Sequence, residues 1–237
     1  MKMKAITLIL ISLMSITGVH ARTVFMQEFV CPIGGQKFST QMDGSGTSFG
    51  QMLDFKPIGP MPAPWTLAVC PDNQFVIFKD DFTEEELKIL TPYVESAEYK
   101  KIINTPTYYR AAQLQRVLKE PTGDIATTLL QATWQSPTVP YQKEALAEYN
   151  KYIDELAQNQ STAQLFENAR WVNANLIALE LERRTGQFDA AKQRLNALSI
   201  SNDFKEDDQF IKQILTLQKK LIDQKDQNGH RVIDESE

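Results

Sequence analysis

Cys70-Pro71-Asp72-Asn73-Gln74-Phe75-Val76-Ile77-Phe78-Lys79-Asp80-Asp81-Phe82-Thr83-Glu84-Glu85-Glu86 is where the character of the chain changes. Upstream lie most of the glycines and prolines, several short β-type runs and the other cysteine, Cys31; downstream glycine nearly vanishes and helical signals take over. Thr83 and Glu86 make the pattern of a capping box: the hydroxyl can accept from the Glu86 amide while the carboxylate reaches back to the Thr83 amide. The expected fold is therefore α+β and mainly α, with a small β-containing head over 22–81 and a helical body over 82–225.

Within the head, Thr23-Val24-Phe25 and Glu28-Phe29-Val30 read as two short strands, and Leu67-Ala68-Val69 and Phe75-Val76-Ile77-Phe78 flank the second cysteine in the same way. Between them, residues 43–50 have the composition of a flexible loop. They lack the Lys-Ser/Thr pair and following helix that a phosphate cradle needs. Pro57-Ile58-Gly59-Pro60-Met61-Pro62-Ala63-Pro64-Trp65 must run extended, since proline holds the preceding residue in β or polyproline conformations. It reads better as a rigid crossover than as a ligand for an aromatic groove.

In the body, Pro92 is expected to stop the first helix and Ser96 to start a second. Thr105-Pro106 should cap a third, a fourth should span 124–135, and Pro137 and Pro140 should close it. Apolar residues three and four apart predict a helix over 141–158. Ser161-Thr162-Ala163-Gln164 is a second capping box, with one helix expected from it to Arg184 and Gly186 as its stop, because a left-handed backbone is cheap only for glycine. Helices beginning at Phe188 and spanning about 206–223 follow, and the charged, glycine-broken end, 226–237, reads as disordered.

The first 21 residues carry Lys2 and Lys4, an apolar stretch too short to span a bilayer, and Val19-His20-Ala21, the small-residue pattern of a signal peptidase site. Cleavage after Ala21 is expected, without a following cysteine for lipid attachment, giving a periplasmic or secreted protein with no stable membrane insertion. Losing Lys2 and Lys4 takes the formal charge from -5 to -7, which disfavours a nucleic-acid partner.

Cys31-Pro32-Ile33-Gly34-Gly35 and Cys70-Pro71-Asp72-Asn73 resemble the Cys-Pro-x-Cys-Gly knuckles of a zinc ribbon, with Gly34 and Asn73 where the second cysteines would stand. Leu176 to Arg184 followed by Thr185-Gly186-Gln187-Phe188-Asp189-Ala190-Ala191 resembles the helix, turn and helix of a tetratricopeptide unit, though no second copy recurs near a 34-residue period. In this order, with Phe38 and Phe75 after the knuckles, these features resemble an uncharacterised bacterial family with a zinc-ribbon-like head and a tetratricopeptide-like body, over about residues 29–200. The resemblance implies a degenerate ribbon. With Gly34 and Asn73 in place of ligands, and His230 the one histidine beyond the leader, no metal and no other cofactor is expected. In a ribbon the leading cysteines point at one metal, so its loss implies a Cys31–Cys70 disulfide, which an oxidising compartment favours.

No catalytic residue is assigned. A Ser-His or Cys-His pair would need His230 to fold back, and a disulfide-bonded cysteine is no nucleophile. Glu84-Glu85-Glu86 and Asp207-Asp208 sit where acids complement a helix N-terminus, and nothing in the spacing of Asp43, Asp54 and Asp72 singles them out. Trp65, Tyr108, Tyr109, Trp134 and Trp171 are the candidate partner-binding residues, although residues at the helical spacing of the last four are more often core or helix-packing residues. The expectation is a non-enzymatic exported envelope protein that binds another protein as a scaffold. An envelope hydrolase using carboxylates, or a secreted inhibitor or immunity protein, is the alternative.

Overall fold

The computed structural model describes residues 22–200 and 209–232, so the expected leader, the Asp207-Asp208 pair and the last five residues lie outside the described part. The fold is α+β and mainly helical, with two separate two-stranded antiparallel sheets. Among the described residues no helix is long and apolar enough to cross a membrane.

The two short strands expected at the start are one, β1 (Thr23–Val30), paired along its length with β2 (Lys37–Ser45) from Val30↔Lys37 to Thr23↔Ser45. Asp43-Gly44-Ser45, read as loop, is the end of β2. The fit at Gly44 is tight: a Cβ would lie 2.8 Å from Thr23 Oγ1 and 3.3 Å from the Phe25 ring, so either side chain would have to shift. The second ribbon is short, β3 (Ala68–Val69) against β4 (Val76–Ile77).

The helices are α1 (Glu84–Glu95), α2 (Ala97–Ile102), α3 (Thr107–Leu118), α4 (Thr122–Gln135), α5 (Val139–Ala157), α6 (Thr162–Glu167), α7 (Ala169–Arg184), α8 (Phe188–Ile200) and α9 (Gln209–Asp223). The capping box at Thr83 forms as expected. Pro92 does not stop α1: the helix runs through it to Glu95, and the buried Leu90 and Val94 on either side hold the turn against the core despite one lost backbone bond. Thr105 closes α2 by donating to the Ile102 carbonyl, so α3 starts one residue later than read, and the Gln135 side chain accepts from the Tyr108 amide. Pro140 opens α5 from within its first turn rather than closing α4.

The single helix expected from Ser161 to Arg184 is two. Asn168 interrupts it, its carboxamide oxygen accepting from the amides of Arg170 and Trp171 at 3.0 and 3.4 Å. Asparagine competes with the helix for backbone donors, so it makes a good cap and a poor interior residue. Asn168→Ala should lower stability by about 1 kcal/mol in urea titration, the usual worth of such a cap. An unchanged midpoint would show that α7 does not depend on it. At the other end, Gly186 (φ +78°) stops α7 as expected, with its amide donating to Arg183 and that of Gln187 to Glu182.

Three apolar clusters form. The cysteine turns have no core of their own: Cys31, Ile33, Cys70, Phe75 and Val76 pack with Leu90, Val94, Tyr99, Ala111 and Leu114 of α1–α3. The second cluster lies among α3, α4, α5 and α7. The third joins α7, α8 and α9 and includes Leu53 from the loop after β2. Residues 226–232 correct the reading of a disordered tail: Leu53 donates to the His230 carbonyl, Val232 donates to that of Gln51, and Arg231 pairs with Met52.

Candidate functional site

Two turns built alike meet at the disulfide. The Cys31 amide donates to Gln36 and the Gly35 amide to Cys31; the Cys70 amide donates to Phe75 and the Gln74 amide to Cys70, all between 2.8 and 3.1 Å. Each turn reverses through a residue with left-handed backbone, Gly35 at φ +70° and Gln74 at φ +62°. Cys31 and Cys70 are bonded, with Cα atoms 5.7 Å apart, and both are buried. The positions that departed from the knuckle pattern also face each other. Asn73 donates to the Ile33 carbonyl at 2.9 Å and accepts from the Phe75 amide at 3.0 Å, and a Cβ at Gly34 would come within 3.9 Å of Asn73 Nδ2.

The body grips the second turn at one atom. The Tyr99 hydroxyl and Arg110 Nη1 both donate to the Gln74 carbonyl, at 2.8 and 3.0 Å. Burial pushes the Tyr99 hydroxyl up to about 12, so it stays a donor at any physiological pH. The disulfide is thus closed, buried and braced, offering neither a thiol nor a ligand. Among the described residues no three His, Cys, Asp or Glu side chains converge to hold a metal.

The acids weighed in the sequence are scattered. Glu86 closes the capping box and pairs with Lys79. Asp54 is buried against Arg184. Against desolvation by burial, hydrogen bonds from Arg22 and Thr66 hold Asp43 below the usual carboxylate range. Burial pushes Glu180 up to about 7, but this side chain is sealed inside the body and ion-paired with Arg183 at 2.7 Å, where no solvent-borne substrate reaches it.

The aromatic candidates are not brought together. Tyr108 is buried; Tyr109 packs tilted against Tyr141, ring centroids 4.9 Å apart; Trp134 and Trp171 are half-buried against the body core, Trp171 edge-on to Phe166. Of the five only Trp65 is exposed. The other four are buried or half-buried in the fold.

No family model, curated protein or solved structure matches this chain.

Exposed apolar side chains gather on the β1–β2 ribbon. Val24, Phe25 and Val30 are exposed and Met26 is 67% exposed, although neighbouring strand residues point to opposite faces. Both faces of β1 are thus apolar and uncovered, and isolated ribbons of this kind draw little stability from themselves. The sequence signal was present in Thr23-Val24-Phe25-Met26-Gln27-Glu28-Phe29-Val30, whose apolar residues do not alternate. Such a strand needs cover on two sides, and β2 supplies only an edge. Beside it, a groove of about 500 Å³ separates β1 from the second ribbon.

Proposed function

We propose that this protein is a non-enzymatic, exported protein-binding module whose partner docks on the β1–β2 ribbon. The observation that carries the reading is the uncovered apolar surface of Val24, Phe25, Met26 and Val30 on both faces of one strand. Exposed apolar residues gathered on one element mark interaction sites. Export is supported by the leader-like first 21 residues and by the Cys31–Cys70 disulfide, a bond that persists in oxidising compartments.

The head is a degenerate zinc ribbon in this reading. Support comes from the matching turns at Cys31 and Cys70, and from Gly34 and Asn73 facing each other beside the bond. The disulfide then takes the place of a metal as the link between two small turns. The α7–α8 hairpin around Gly186 is the tetratricopeptide-like element in this reading, part of the body rather than of the docking surface.

A photo-crosslinking amino acid placed at Met26, in cells producing the full chain, should trap one discrete envelope protein; the same group at the exposed Lys151 on α5 should not. Trapping at Lys151 alone would move binding to the helical body. No trapped protein at either site, together with turnover of a peptidoglycan or peptide substrate, would replace the binding reading with an enzymatic one.

A further inference from the structure

The groove beside β1 is lined by residues 27–30 of that strand with Pro32, by Met42 of β2, and by 66–68 and 77–80 across it. Neighbouring strand residues point to opposite faces, so a lining that includes Glu28 and Val30 as well as Gln27 and Phe29 reaches round the side of β1 in addition to the face that Met42 shares. Backbone direction tells which groups look into it. Cys31 donates across the turn to Gln36, and donors alternate along an antiparallel strand, so Val24, Met26, Glu28 and Val30 turn their amides and carbonyls away from β2. Among the described residues no other segment pairs with this edge. An open edge of this length, with apolar side chains, is what natural proteins otherwise cover or blunt.

The charges beside the groove are acidic. Lys79 is already committed to Glu86 and Glu120. Glu28 and Asp80, both in the lining, pair with no cation among the described residues.

Resting on the reading of the ribbon as a docking element, we propose that the groove takes an extended segment of a partner protein. The segment adds as a strand to the outer edge of β1, setting apolar side chains beside Val24, Met26 and Val30 and a Lys or Arg beside Glu28 and Asp80. Main-chain hydrogen bonds supply affinity and the alternating side chains supply selectivity, as in other strand additions. The acids select a basic segment and turn away an acidic one.

The test uses the chain without its leader and two fluorescein-labelled heptapeptides of alternating valine and threonine, one with a central lysine and one with glutamate there. The lysine peptide should bind the wild type more tightly, by roughly two- to fivefold for one cross-strand charge pair. Glu28→Lys/Asp80→Lys should reverse that order, which a misfolded variant could not do. Met26→Pro removes one outward amide while leaving the bonds to β2, and should weaken both peptides by about tenfold. In amide NMR spectra the shifted signals should be those of β1 and of residues 77–80. Equal binding of the two peptides, shifts confined to the helical body, or no binding to the wild type overturns the proposal. So does sedimentation showing that the wild type dimerises through β1, which would make a second copy the occupant. If these tests fail while Met26 still crosslinks to a partner, the module binds by another geometry; if both fail, the binding reading falls with it.

Discussion

Replacing Cys31 and Cys70 together with alanine should lower the stability of the chain by about 4 kcal/mol, read as a fall in urea midpoint with a steeper slope, because the unfolded chain without the cross-link exposes more surface. The bond joins residues 39 apart, and the chain-entropy model gives roughly that figure for a loop of this size. Against a usual total of about 5–15 kcal/mol the loss is large. Location decides what it does. Both cysteines sit in the cluster with Phe75, Leu90, Val94, Tyr99 and Leu114, so the bond ties the first turn, and through it the β1–β2 ribbon, to α1–α3. The second turn keeps its own anchors, Tyr99 and Arg110 on the Gln74 carbonyl, and Asn73 still bridges to Ile33. The ribbon should therefore lose amide protection before the helices do, measurable by hydrogen exchange. Alanine is the right probe because a serine would bury an unpaired hydroxyl and add a cost of its own. A double variant as stable as the wild type would mean that packing alone holds the two turns together.

The contrast between what was and was not readable follows the range of the forces involved. The Thr83 and Ser161 boxes and the Gly186 stop were legible because each is closed by atoms within a few residues. Pro92 misled because its local cost is outweighed by Leu90 and Val94, whose burial depends on α2, α3 and the cysteine turns. β2 was hidden because Lys37-Phe38-Ser39-Thr40-Gln41-Met42-Asp43-Gly44-Ser45 is largely polar and is a strand only by pairing with β1. The five candidate aromatics show a different limit. Helical spacing gives the face a side chain lies on but not whether another helix covers it, and for Tyr108, Tyr109, Trp134 and Trp171 other parts of the body do. The uncovered strand was signalled by its composition, yet its exposure followed only once β2 proved to be its one partner among the described residues.

Arg183 should be the most sensitive position in the body. It is fully buried at 0% exposure, pairs with Glu180 through both carboxylate oxygens, and donates to Gln218 Oε1 and to the carbonyls of Asp226 and Asn228. One guanidinium thus joins α7 to α9 and pins residues 226–228, part of the segment that the composition had marked as disordered. Arg183→Met keeps the volume but leaves Glu180 buried without its cation, a change that costs about 3–5 kcal/mol where buried pairs have been broken. It should also open residues 226–232 to proteolysis while leaving the cysteine turns protected. The pair has a pH signature as well. Burial raises Glu180 from an ordinary 4.5 to about 7, with Asp54 adding to the rise and Arg183 and Gln218 opposing it. A carboxyl raised on folding holds its proton more tightly in the native state, so its contribution is full below about 4.5 and is lost as the pH climbs through about 7. Relative to Glu180→Gln, which cannot titrate, the wild type should lose on the order of 3 kcal/mol across that window. When Glu180 is protonated the guanidinium still has three neutral acceptors, in Gln218, Asp226 and Asn228, so the acid form is not left with a bare buried cation. Parallel pH profiles for wild type and Glu180→Gln would show that Glu180 stays ionised throughout, held by Arg183 against its desolvation. A mild Arg183→Met phenotype would show that the chain end is held by Leu53 and Val232 instead.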